Sequence, residues 1–257
     1  AASDVYKRQK APHIAWTDEE APTSPTPKPV WRLKTPSKGA VCGSKENSDR
    51  SGTMRLLLLS LPLMLSGRTD AADYRPLNDQ IVALVGSYPL DGRHPYGWVP
   101  DQHTDGVSQP LVWEGVTLGE PDEERSVHCS GITFEVYVQA LSQSAPVQPP
   151  TGEMLLDLKE DWYIRQGTRS GPVDALASRG LGVPIATLDD LQPGDFVQFW
   201  RNNGNGHSAI FIEHTRYRSG AVRGLVFWSA QGSSEGLGYR RVSIGSGESQ
   251  VSPGNIY

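Results

Sequence analysis

The 257-residue chain holds two cysteines, Cys42 and Cys129. That is too few for the disulfide framework of a small secreted scaffold. His, Cys and Asp nowhere recur at metal-ligand spacing, so neither a metal nor another cofactor is expected. The glycine-rich stretch Gly232-Ser233-Ser234-Glu235-Gly236-Leu237-Gly238 has no helix after it and no lysine placed for a phosphate. It does not read as a phosphate cradle. The longest apolar stretch, Leu56 to Leu65, is too short to span a bilayer comfortably. Positive charge is scarce beyond residue 71: 13 Lys+Arg face 22 Asp+Glu, a formal net charge of −9. That balance argues against nucleic acid or an anionic surface as partner.

What is present is unevenly spread. Residues 1–53 are polar, basic and broken by Pro22, Pro25, Pro27, Pro29 and Pro36. They carry too little periodic apolar surface to fold and read as disordered. Asp4-Val5-Tyr6-Lys7-Arg8-Gln9 resembles the translation of a sequencing-adapter end, the mark of upstream DNA read in frame. Met54-Arg55 and the apolar stretch then have the layout of a secretory signal peptide over 54–71, cleaved after Ala71. No cysteine follows closely enough for a lipid anchor. The expectation is a secreted or periplasmic monomer of one domain, 72–257, with no membrane span after cleavage. Cys42 is lost with the leader, which leaves Cys129 as a lone thiol.

Within 72–257, apolar spacing predicts a helix over 73–86 and a second from Cys129 to about Ser142. Further helices are expected over 152–166 and from Pro172 to Ser178. Residues 87–127, rich in Gly, Pro, Asp and aromatics, read as an elaborated loop region with a short strand at Leu111–Trp113. His94 and His103 in it are expected as exposed loop histidines. Strands follow over Phe196–Trp200, His207–Glu213, Gly224–Gln231 and Tyr239–Ile244, with the first hairpin marked by Asn202-Asn203-Gly204-Asn205-Gly206. Helices first and hairpin-linked strands after them make an α+β fold. Strand alternation groups His207, Ala209 and Phe211 on one face, and places His214 on the opposite one.

Cys129 begins a helix, where free N–H groups and the helix dipole favour a thiolate. The competing reading is a small buried hydrophobe. Thiol chemistry needs a base and a group that orients the base. His207 at a strand start supplies the first. Gln231 at the end of the next strand supplies the second, with Ser229 as its alternative or support. His128 and Ser130 flank the sulfur as candidate substrate or oxyanion contacts, with a solvent-facing cap residue as the equal alternative for His128.

His128-Cys129-Ser130-Gly131-Ile132 resembles the D-C-S-G-[LF] motif of the NlpC-type papain-like cysteine peptidases and amidases. Leu191-Gln192-Pro193-Gly194-Asp195-Phe196-Val197-Gln198-Phe199, followed by Gly206-His207-Ser208-Ala209-Ile210, is similar to that family's P-G-D and G-H motifs. The resemblance covers about 125–240. It implies a papain-like fold with the cysteine helix packed on an antiparallel sheet, Cys129 as nucleophile and His207 as base. It also implies hydrolysis of amide bonds in cell-wall (peptidoglycan) peptides. His128 departs from the usual aspartate, which leaves the substrate open. The alternatives are a non-catalytic binding module on the same fold, and an acyltransferase or amidase acting on a non-wall substrate.

Overall fold

The computed structural model describes residues 75–99, 104–144, 148–165 and 169–257. The upstream segment, the expected signal peptide from Met54, Cys42 and His103 lie outside the described residues. The protein is α+β. Among the described residues four helices, α1 (Arg75–Ser87), α2 (Cys129–Ser144), α3 (Gly152–Trp162) and α4 (Pro172–Ser178), precede the main sheet. That sheet is antiparallel in the order β3 (Phe196–Trp200), β4 (Gly206–Arg216), β5 (Val222–Gln231) and β6 (Gly236–Ser243). Among the described residues no helix is long and apolar enough to cross a membrane.

Helix α2 is central. Its Ile132, Val136 and Ala140 pack with Ile81, Leu84 and Val85 of α1 and with Ile210, Val226, Trp228 and Ala230 of the sheet. Its Phe134, Tyr137, Val138 and Leu141 join Leu155, Leu158 and Trp162 of α3 in a second cluster. A helix buried on both sides needs apolar residues almost all round. The predicted face of Ile132, Thr133, Val136, Tyr137, Ala140 and Leu141 is divided between the two clusters, and Phe134 and Val138 are buried beside it.

Two departures in the predicted elements have local causes. Helix α3 stops at Trp162, short of 166, because Ile164 takes a left-handed conformation with φ of 62°. In the 87–127 region, Leu111–Trp113 (β1) gains an unanticipated partner, Val116–Gly119 (β2). The two-residue turn between them, Glu114-Gly115, has φ of 49° and 80°, the positive values that a tight hairpin requires.

The outer face of the sheet carries a third cluster: Val197, Phe199, Ala209, Phe211, Leu225, Phe227 and Val242, closed by Val251. His207 lies on this face, its ring 5.4 Å from those of Phe199 and Phe227. His214 does not follow the simple alternation. The β4–β5 register shifts between Phe211 and Glu213, so His214 pairs with Leu225 and its ring lies 4.6 Å from that of Phe211. One bulged residue swaps the faces of everything beyond it.

One carboxylate is wholly inside. Glu135, fully buried on α2, accepts from the Ser108 N–H and hydroxyl, both at 2.6 Å, and from Tyr88 at 2.7 Å. Gln109 and Gln139 add amide donors, each at 3.1 Å. These contacts tie the loop before β1 to the middle of α2. Tyr88, Ser108, Gln109 and Gln139 also line a cleft of about 240 Å³ with His94 and Arg125. His94 is half-buried, with Nδ1 enclosed and without a partner, rather than an exposed loop histidine. Glu135→Gln puts an N–H₂ among these donors and should lower stability by about 1–3 kcal/mol. Urea denaturation against the parent protein measures it.

Candidate active site

The N-terminus of α2 is built around His128. Its Nδ1 accepts from the Gly131 N–H at 3.1 Å, and its backbone carbonyl accepts from Ile132 N–H at 3.0 Å. The imidazole therefore caps the helix, the role a short polar side chain usually fills. Nε2 lies 3.2 Å from the Thr104 carbonyl, to which it donates, since Nδ1 is the acceptor. Both nitrogens are committed and only 6% of the residue is exposed, so His128 has no ring atom left for a substrate. Burial, the largest influence, lowers its pKa and keeps it neutral. Gly106 and Gly131 make this fit possible. A Cβ at Gly106 would stand 2.1 Å from the His128 ring, and one at Gly131 would stand 2.2 Å from the Asp105 carbonyl oxygen. His128→Ala should cost about 1 kcal/mol through the lost cap. Thermal denaturation reads this directly, and His128→Asn should recover part of it.

With Gly131 capped, the N–H groups of Cys129 and Ser130 are turned toward the Cys129 sulfur, on which both act as donors. They are the helix-start donors that an oxyanion would need. The sulfur sits at the head of a polar chain. Ser130 Oγ is 4.0 Å from Cys129 Sγ and 3.3 Å from Ser208 Oγ, and Ser208 donates to Gln198 Oε1 at 2.6 Å. Ser208 and Gln198 are almost completely buried neighbours on β4 and β3. Cys129 is a free thiol and partly exposed as a residue. Burial of its sulfur nevertheless pushes the pKa up, against the opposing pull of the Ser208 backbone and the Ser130 hydroxyl. The helix start alone pointed the other way. Desolvation outweighs it, because the cost of burying a charge exceeds a terminal dipole contribution of about 1 kcal/mol.

His207 immediately precedes Ser208, and alternation sends its imidazole to the outer face of the sheet, 5% exposed. Its Nε2 is buried without a partner, and no hydrogen bond joins the ring to Cys129. Burial and then the charge of Arg201 push its pKa down to about 3. Gln231, 7% exposed, ends β5 with its Nε2 also unpartnered. Ser229 is wholly buried and donates to the Ser208 carbonyl at 2.7 Å, which commits its hydroxyl to holding β5 against β4. The structure thus gathers Cys129, Ser130 and Ser208 at one point. It brings His207 and Gln231 to the same end of the sheet, and leaves thiol and imidazole unpaired.

Two residues at this end carried no motif. Tyr96 bridges to Val127, two residues before Cys129, and a Cβ on Gly232 would stand 3.7 Å from its ring. Its pKa is pushed up to about 12, by burial first and then by Cys129. Arg201 directly follows β3, on whose neighbour β4 His207 pairs with Phe199, and its Cζ lies 5.2 Å from the Phe199 ring. The only signal for Arg201 in the sequence was its place between the F-V-Q-F-W strand and the histidine strand. No protein-family model, curated protein or solved structure matches this chain.

Proposed function

We propose that the protein is a papain-like cysteine hydrolase that cleaves amide bonds, with Cys129 as nucleophile. Peptidoglycan peptides outside the cell are the substrate class that the motif resemblance implies. The observation that carries the reading is the start of α2. The sulfur of a partly exposed cysteine lies beside two helix-start N–H groups turned toward it, at the end of the sheet where β4 brings in a histidine. Chemically, the thiol loses its proton and sulfur attacks the carbonyl. The Cys129 and Ser130 N–H groups hold the resulting oxyanion. The proton then passes to the leaving amine, and water releases the acid from the thioester.

His207 is the base in this scheme, and Gln231 or Ser229 sets its orientation. In the resting state the imidazole is neutral and turned to the aromatic face. Proton transfer therefore requires the start of β4 to turn. That segment is hydrogen-bonded to β3 as far as Gly206, but its β5 pairing begins only at Ile210. Catalytic contacts in unliganded sites are often loose in this way.

A second reading is favoured by the same unpaired histidine and by the raised thiol pKa: a binding module without catalysis. One experiment separates the two. The full chain is incubated with soluble muropeptides and with a panel of peptide amides and esters, beside Cys129→Ala. New amine and carboxylate termini that appear only with the parent protein support the hydrolase. Cleavage of esters or non-wall amides alone redirects the substrate class. No difference between the two proteins across the panel rules the hydrolase out.

A further inference from the structure

The strand ends around Cys129 bring together three polar side chains that the protein itself leaves unanswered. Antiparallel order puts the end of β3, the start of β4 and the end of β5 at one edge, and the 3.3 Å Ser130–Ser208 contact fixes the start of α2 there. Arg201 follows β3, His207 starts β4 and Gln231 ends β5. His207 Nε2 and Gln231 Nε2 are enclosed and unpartnered on side chains more than nine-tenths buried. Arg201 is half-buried, its backbone N–H and carbonyl held in the turn by Asn205 and Gly204. Its guanidinium lies over the Phe199 ring, with no carboxylate partner among the described residues. Other arginines near the helices are paired: Arg179 with Asp157 and Asp161, Arg165 with Glu160.

We propose that Arg201 is the specificity residue of the Cys129 site, receiving a carboxylate that the substrate carries close to the scissile bond. This rests on the hydrolase reading above and deepens it to a substrate class, acyl compounds bearing a free carboxylate. A half-buried, uncompensated cation is unfavourable alone and becomes favourable when an anion fills the place of its missing partner. The planar fork suits a carboxylate bidentately, and stacking on Phe199 holds the fork in one plane. The Gln231 amide N–H is a second donor at the same edge. The charge of Arg201 also acts on its surroundings: it depresses the His207 pKa, while Cys129 and Tyr96 raise its own against burial.

The test needs no knowledge of the natural substrate. Iodoacetate and iodoacetamide alkylate a thiolate by the same displacement: a C–S bond forms and iodide leaves. They differ in a carboxylate against a neutral amide. Cys129 alkylation in the full-length native protein is followed with both. In the parent protein iodoacetate should be favoured, and raising ionic strength should erode that preference. Arg201→Gln should slow iodoacetate about tenfold and leave iodoacetamide within about twofold, the range for one nearby charge in a semi-polar site. Arg201→Lys should keep most of the preference. An unchanged reagent ratio in Arg201→Gln, or a parent ratio indifferent to salt, overturns the assignment while the hydrolase reading stands. Labelling by either reagent only after unfolding overturns both. If Arg201→Gln does not fold, the salt series and Arg201→Lys decide.

Discussion

Cys129→Ala should bring amide hydrolysis to the uncatalysed background, and His207→Ala should lower it by about 10²- to 10⁴-fold, the usual contribution of a positioned acid–base group. The two losses differ in kind. Without sulfur no thioester forms, and the N–H groups at the start of α2 have no intermediate to hold. Without His207 the nucleophile remains, and what is lost is the route by which its proton reaches the leaving amine. Iodoacetamide labelling separates them: His207→Ala still labels at Cys129, and Cys129→Ala shows no label at position 129. The resting pair is neutral, with the thiol raised and the imidazole lowered. The alkylation rate should therefore climb about tenfold per pH unit through neutrality, as a thiol titrating above that range does. A rate already level between pH 6 and 8 would show a preformed thiolate–imidazolium pair and contradict the geometry around Ser208. Hydrolysis by Cys129→Ala equal to that of the parent would end the hydrolase proposal.

Stability should fall steeply in acid, and His207 should account for most of the fall. The neutral imidazole is buried between Phe199 and Phe227, and its folded pKa of about 3 lies well below the ordinary value of 6.5. An unfolded chain takes up the proton near 6.5, while the folded chain resists until about 3. The contribution of the neutral ring is thus complete above pH 6.5 and is lost progressively as pH falls toward 3. The full difference is roughly 4–5 kcal/mol, and by pH 4 about 3 kcal/mol of it should be gone. His128 acts in the same direction, because a second proton would abolish Nδ1 as the acceptor for Gly131. Urea denaturation at pH 7 and pH 4 measures the sum. His207→Phe keeps a ring of similar size in the aromatic cluster and should flatten the difference between the two pH values. If that variant loses as much stability between pH 7 and 4 as the parent, the buried imidazole is not the acid-sensitive group.

These expectations rest on residues that differed in how far they could be read in advance. The strands were legible because alternation and turn chemistry are local. Phe196–Trp200, the Asn-Gly turn and the sequence after His207 each announce themselves within ten residues. The placement of Cys129 at the first residue of α2 was legible for the same reason. The bulge at Phe211–Glu213 was not, since an extra residue in one strand depends on the packing of its partner. Nor was the burial of His128, whose cap role was expected on the solvent-facing side. That depends on Thr104, Gly106 and Tyr163, brought against it from both sides in the chain.

The sequence by itself determined the α+β order of elements, a cysteine at a helix start, and a histidine and a glutamine at the ends of neighbouring strands. These follow from periodicity, capping and turn preference, which act over a few residues. Only the tertiary structure decided the charge state of that thiol and histidine, the burial of Glu135 and the position of Arg201 away from any carboxylate among the described residues. Protonation follows from how much water the fold removes and from which distant groups it places nearby. Neither quantity exists until α2, the 87–127 segment and the ends of β3, β4 and β5 have come together.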